Sequence, residues 1–283
     1  MKKFLFAFIL ITACTNEKKS DQVRKLSGED NKVALTRKDS MRIRKFVELA
    51  FKAPLHSKEH QVFLDSALRI QPDNAWLWQQ KAMPLYKSRK YSLGKPFLEK
   101  AVEYDAKRWL DYSGFMKCIF SKEYLESITD FVRFKNEFGD GYVMDHTYNF
   151  YIGLSYLQLN EFNKAKEFLE LSKEQQYADF SKDAPHEACH YLDWYYLGIA
   201  NFELGSYQEA ISSFDMALKG YGNFADALYF KGRSLTKLGD PKGVEWERKA
   251  FENANNTINE DNVIYEIYPY QVFHKLNESV RPK

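Results

Sequence analysis

Residues 186–190 read His-Glu-Ala-Cys-His. Two imidazoles four positions apart, with a glutamate between them, place two zinc ligands and a general base on one helical turn. In that reading His186 and His190 hold the metal and Glu187 polarises a bound water, which is the chemistry of a zinc-dependent hydrolase. Zinc needs a third protein ligand. The only later histidine is His274, and Glu203 on the same expected helix lies 13 residues beyond His190, about 20 Å away at 1.5 Å per residue. Pro185 directly before His186 marks a first helical turn that faces solvent. No alternating strand pattern supplies a sheet behind such a helix. The motif is read as a chance juxtaposition, so no metal, no cofactor and no catalytic residue is assigned. A hydrolase through His186 and His190 is the alternative function, and a weaker metal site recruiting His146 or Asp145 stays open.

The chain begins with a segment that does not belong to the folded part. Lys2 and Lys3 precede eight apolar residues from Phe4 to Ile11, and Ile11-Thr12-Ala13-Cys14 follow. The apolar run is far short of the roughly 20 residues needed to cross a bilayer. Small residues stand where a peptidase would cut, so residues 1–13 read as a secretory signal. Ile11 to Cys14 resemble the lipobox of bacterial lipoproteins. The resemblance implies that Cys14 becomes the N-terminus and carries several acyl chains, which anchor more firmly than one. Thr15, standing where an Asp would signal retention, resembles an outer-membrane address. The expectation is a protein lipid-anchored in the bacterial cell envelope, at the outer membrane.

From Cys14 to Lys45 the chain holds ten Lys or Arg against five Asp or Glu and few large apolar residues. Such a segment cannot bury enough surface to order itself. Residues 14–40 are therefore expected to be a flexible tether. Without the two lysines of the leader, 39 basic residues face 39 acidic ones, and this balance gives no reason to invoke nucleic acid. Besides Cys14 there are only Cys118 and Cys189; Cys118, among apolar residues, reads as a small core residue.

Residues 41–256 repeat on themselves. The segment from Trp194 to Leu218 reads as two amphipathic helices joined by a tight turn, with Ser206 and Glu209 spaced as a capping box. The layout recurs from Asn149 to Ser172, from Leu228 to Phe251 and, more loosely, from Trp78 to Ala101; still looser copies run over about 41–72 and 107–134. A small residue falls where the two helices of a pair meet, at Ala82, Gly153, Gly198 and Gly232, with Phe115 in its place in the third copy. Pro84 is expected to kink one first helix. The 34 residues from Gly198 to Gly232 stretch to 45 between Gly153 and Gly198. Eleven extra residues thus enter just before and within the stretch that holds His186 and His190.

Trp194, Leu197, Gly198, Tyr207, Ala210, Phe214 and Ala217 match the pattern of the tetratricopeptide repeat, as do Gly153, Tyr156, Phe162 and Ala165 in the preceding copy. The chain resembles that family over about three quarters of its length. The resemblance implies an all-α fold, a right-handed superhelix (solenoid) of about six helix-turn-helix repeats, and a function in binding a protein or peptide, not in catalysis. It also implies that the inner face of the first helices lines the ligand groove. Tyr112, Phe150, Leu154, Tyr195, Ile199, Phe202, Tyr229 and Arg233 fall on that face and form the expected partner-binding groove, aromatic and apolar in character. The Lys and Asn with which family members grip acidic chaperone termini are largely missing. Residues 257–283 break the period and are rich in tyrosine, so they are expected to cap the last repeat, through Tyr265, Tyr268, Tyr270 and Phe273. If they fold back instead, they fill the groove.

Overall fold

The computed structural model describes residues 35–274. The expected signal segment 1–13, the expected lipidation residue Cys14, most of the expected tether and the last nine residues lie outside the described residues. Within them the chain forms six antiparallel helix pairs: α1 (Arg37–Lys52) with α2 (Lys58–Leu68), α3 (Ala75–Lys87) with α4 (Tyr91–Tyr104), α5 (Ala106–Met116) with α6 (Tyr124–Phe138), and α7 (Tyr148–Gln158) with α8 (Phe162–Asp179). A four-residue helix, α9 (Pro185–Ala188), then precedes the fifth pair, α10 (Tyr191–Glu203) with α11 (Tyr207–Gly220), and the sixth, α12 (Ala225–Lys237) with α13 (Lys242–Glu252). Consecutive pairs pack on one another, giving an all-α solenoid. α1 starts four residues ahead of the expected repeat boundary because Thr36 caps it, accepting the Asp39 amide through its side chain, and Asp39 adds a negative charge to the first turn.

Close helix crossings fix the pairs. A Cβ at Gly198 would meet the Phe214 ring at 2.5 Å, and one at Gly153 would meet Leu169 at 2.7 Å, so nothing larger than glycine fits at either crossing. In the third pair the crossing residue is Gly114, where a Cβ would lie 2.9 Å from Phe131, and not its neighbour Phe115. The one-residue offset is followed by a π-helical turn, Lys117–Ser121, which winds in one residue more than an α turn. One further expectation fails locally: Ser206 precedes α11 but makes no side-chain cap bond. Pro84 lies inside α3, which continues past it to Lys87.

The eleven extra residues are spent on an 18-residue α8 and on the turn through α9. A two-residue hairpin, β1 (Tyr142–Val143) with β2 (His146–Thr147), leads into α7. Its turn residues Met144 and Asp145 both have positive φ, 47° and 69°, the backbone of a tight hairpin turn that asparagine and glycine ordinarily supply.

The core is divided unequally. One large cluster runs from Ala82 to Tyr268 and includes Phe115, Phe120, Phe131, Phe150, Tyr151, Tyr195, Tyr196 and Phe214. A small separate one, Ala50, Leu64, Ala67, Leu68 and Leu77, holds the first two pairs together.

Candidate functional site

After α13 the chain turns back along the inner face. The base of this excursion is closed by Asp226 at the start of α12, fully buried, which accepts the Thr257 hydroxyl at 2.7 Å and the amides of Val272 and Phe273 at 2.6 and 3.2 Å. The Thr257 hydroxyl lies equally 2.7 Å from the Phe273 carbonyl, so its single proton is shared between that oxygen and Asp226, and it accepts from Gln271. Burial pushes the Asp226 carboxyl above its ordinary value, and the hydroxyl and the two amides pull the other way. The outgoing arm passes through a single 3₁₀ turn, Asp261–Ile264, and reaches the second and third pairs. There Arg89 donates twice to the Tyr265 carbonyl (3.1 and 2.9 Å), Lys87 lies over the Tyr265 ring, and the Phe120 ring lies tilted beside it, 6.4 Å between centroids.

The returning arm is held mainly by its backbone. Lys122 donates to the Ile267 carbonyl at 3.1 Å, the Tyr196 hydroxyl to that of Pro269 at 2.9 Å, and the Tyr195 hydroxyl to that of Tyr270 at 2.7 Å. Tyr268 is buried in the large cluster, Tyr270 packs on Phe230, and Phe273 closes against Tyr229 and Phe251. Among the described residues of the tail, Val272 and Phe273 pack on the final repeat, as a cap does. Residues 260–270 lie across the inner face instead.

The expected groove residues are distributed accordingly. Phe150, Leu154, Tyr195 and Ile199 are fully buried. Tyr112, Phe202 and Tyr229 are half-buried, packed on Phe115, Phe230 and Phe273 respectively, and Arg233 is exposed. The tail that was expected to cap therefore meets the face that was expected to bind. Arg89, Lys122, Tyr196 and Asp226, which do most of the polar work, were not singled out in the sequence. Arg89 and Lys122 lie in turns with positive φ, where no helical periodicity marks them.

The His-Glu-Ala-Cys-His stretch does not form a helical metal motif. α9 ends at Ala188, Cys189 is extended (φ −114°, ψ 129°), and His190 is the N-cap of α10. His186 and His190 therefore do not share a turn, and Glu187 is exposed. His190 is drawn into a different company. Its ring stands edge-on to His146 at 4.8 Å between centroids, and the two histidines and Glu260 each offer a ligand atom within 4.8 Å of the others. His146 comes from β2, His190 from the start of α10 and Glu260 from the outgoing arm of the tail.

His146 is 1% exposed and stacks on Phe150 at 4.1 Å. Its Nε2 lies 3.6 Å from Glu260 Oε2 and its Nδ1 3.9 Å from Asp193 Oδ2, beyond hydrogen-bond reach. Neither nitrogen, nor Asp193 Oδ2, has a hydrogen-bond partner among the described residues. The other Asp193 oxygen accepts from Ser172, which meets Thr147 at 2.6 Å; Gln176 accepts the His190 amide at 3.0 Å. Burial opposes charge on His146, but the carboxylates of Asp193 and Glu260 outweigh it and hold that imidazole's pKa above the ordinary value. Burial and the neighbouring His146 hold His190 below its own. Glu260, despite its burial, is held low by His146.

Comparisons with known proteins agree with the fold. Residues 147–177, essentially α7 and α8, match the tetratricopeptide repeat family. A tetratricopeptide repeat protein from Parabacteroides merdae is similar in structure, with a TM-score of 0.58 at 14% identity over 77% of this chain and 80% of that one. PilW, described as a widely conserved type IV pilus biogenesis factor, has a TM-score of 0.55 at 15% identity over 78% of this chain and 92% of that one. PilF of Pseudomonas aeruginosa has 0.54 at 17% identity over 77% and 91%. At such identities the likeness concerns the fold. No curated protein matches the sequence. The chain is a solenoid of tetratricopeptide-like repeats, and no helix among the described residues is long and apolar enough to cross a membrane.

Proposed function

We propose that this protein is a peptide-binding scaffold of the bacterial envelope, anchored through a lipid on Cys14, whose inner face takes a non-helical aromatic segment of a partner protein. The observation that carries this reading is the way the tail is held. Tyr195, Tyr196, Lys122 and Arg89 all donate to main-chain carbonyls of residues 265–270. Such contacts read main-chain carbonyls of a non-helical, turned segment whatever its sequence, while the buried pocket of Tyr268 supplies apolar affinity. The tail then acts as a resident occupant that a partner segment of similar chemistry replaces. The fold and the disposition of these donors support a binding role over catalysis, and the His-Glu-Ala-Cys-His stretch, which is not one continuous helical turn, lends no support to the hydrolase alternative. The envelope setting rests on the leader and on Cys14, with the outer membrane as the specific address.

Photo-crosslinking in intact cells tests this reading. A crosslinking residue at Arg233, exposed on the rim, should trap a discrete partner, and the yield should rise in Arg89→Ala, which loosens the tail. An unchanged or lower yield in that variant would place the partner elsewhere. Cys14→Ser should move the protein from the membrane fraction to the soluble periplasmic fraction; retention in the membrane would remove the lipid anchor from the proposal.

A further inference from the structure

We propose that His146, His190 and Glu260 form a binding site for a divalent transition ion of the zinc type, which fastens the tail to the boundary between the fourth and fifth helix pairs. The site goes beyond the scaffold reading and does not depend on it. Three segments far apart in the chain bring two imidazoles and a carboxylate together within 4.8 Å. An ion bonded at about 2.0–2.2 Å to tetrahedrally arranged ligands holds its donor atoms about 3.3–3.6 Å apart. The 3.6 Å between His146 Nε2 and Glu260 Oε2 already meets that spacing.

The independent sign is His146 itself. A buried imidazole with both nitrogens unpartnered is a costly arrangement. An ion on Nε2 satisfies one nitrogen and leaves Nδ1–H directed at Asp193 Oδ2, now 3.9 Å away and also unpartnered. A carboxylate behind a ligating imidazole is the usual means of fixing its tautomer and ring angle. Asp193 is thereby a positioning residue, held by Ser172 on its other oxygen. The charges close as well, since a doubly positive ion is balanced by the carboxylates of Glu260 and Asp193. Ligation by His190 costs only the long 3.3 Å bond that its Nδ1 accepts from the Leu192 amide.

Two imidazoles and one carboxylate, without thiolate, suit zinc better than magnesium or calcium, which prefer all-oxygen shells. Because Glu260 belongs to the tail and the two histidines to the repeats, the ion is a staple between them. Its consequence is a tail whose release from the inner face depends on metal.

The test uses the full-length protein purified in detergent. Titrated with Zn2+ against a chromophoric chelator, it should bind one ion per chain, and Co2+ should give the intense visible absorption of a four-coordinate site with the same end point. Glu260→Gln, which lies outside every helix pair and leaves the helices in place, should weaken binding more than about 100-fold. Asp193→Asn should weaken it by about 10–100-fold, the range for an outer-shell partner. His186→Gln should change nothing. Saturating Zn2+ should slow hydrogen exchange at the amides of residues 257–273. Absence of stoichiometric binding, binding that survives Glu260→Gln, or loss caused by His186→Gln would overturn the site. Exchange in the tail that is indifferent to bound Zn2+ would overturn the staple.

Discussion

The first helix pair and the last five are built from the same unit but held by different means. The small cluster around Leu64 and Leu68 joins α1, α2 and α3 by contacts between neighbours in the chain, which is how a solenoid ordinarily coheres. The later pairs share one large cluster into which Tyr268 of the tail is inserted. The tail also reaches back to Arg89, 176 residues earlier. One end of the molecule is thus a stack of local units, and the other is closed by a long-range contact that couples pairs two to six. Unfolding should reflect this, with local opening in α1 and α2 and a cooperative block elsewhere.

The largest expected effect breaks the shared cluster. Phe150→Ala removes a fully buried ring that contacts His146, Tyr151 and Tyr196, and it should cost about 3–5 kcal/mol, lowering the urea midpoint of the whole block. Leu64→Ala, equally buried in the small cluster, should cost about 2–5 kcal/mol. Its effect on hydrogen exchange should stay within α1 to α3; spread into α10 would deny the division. Asp226→Ala leaves the Val272 and Phe273 amides without their acceptor, at about 1–3 kcal/mol for each buried donor. Residues 257–273 should then exchange as if free while α5 to α8 keep their protection.

Smaller changes sharpen the comparison. Tyr195→Phe keeps the ring in the core and deletes one hydroxyl donor to Tyr270, so a loss of about 1 kcal/mol is expected by urea unfolding. A loss three times larger would mean that the hydroxyl anchors more than the tail. Cys118 is buried, and burial pushes its thiol up to about 11, against a smaller opposing pull from Ser155. Cys189 is buried and shifted in the same direction. A raised pKa keeps both as thiols well above neutral pH, so neither should be alkylated at pH 8 until urea opens the fold. Rapid labelling of Cys118 in native conditions would show that the large cluster opens locally.

The helix pairs were legible in the sequence because each rests on a local relation. An apolar stripe recurs every three or four residues, and glycines such as Gly153 and Gly198 stand where two helices cross. Where that relation is disturbed the reading slipped. The repeat spacing points to Phe115 as the crossing residue of the third pair, and only the close approach of Gly114 to Phe131 shows the offset. The groove was legible as a face but not as a surface, since spacing tells which residues share a side of a helix and not what covers that side.

By itself the sequence determined the kind of fold, the six pairs and the aromatic character of the inner face, because these follow from neighbours within one turn or one repeat. It also placed the tail outside the repeat. Only the tertiary structure decided that the tail lies across the inner face, and that His190 leaves its motif partner His186 to meet His146 and Glu260. Those contacts join residues 44 to 176 positions apart, and no periodicity records which distant groups will share a burial site. Their selection comes from the whole molecule: a buried carboxylate at Asp226 that needs donors, tyrosine hydroxyls that need acceptors, and an apolar face that must be covered.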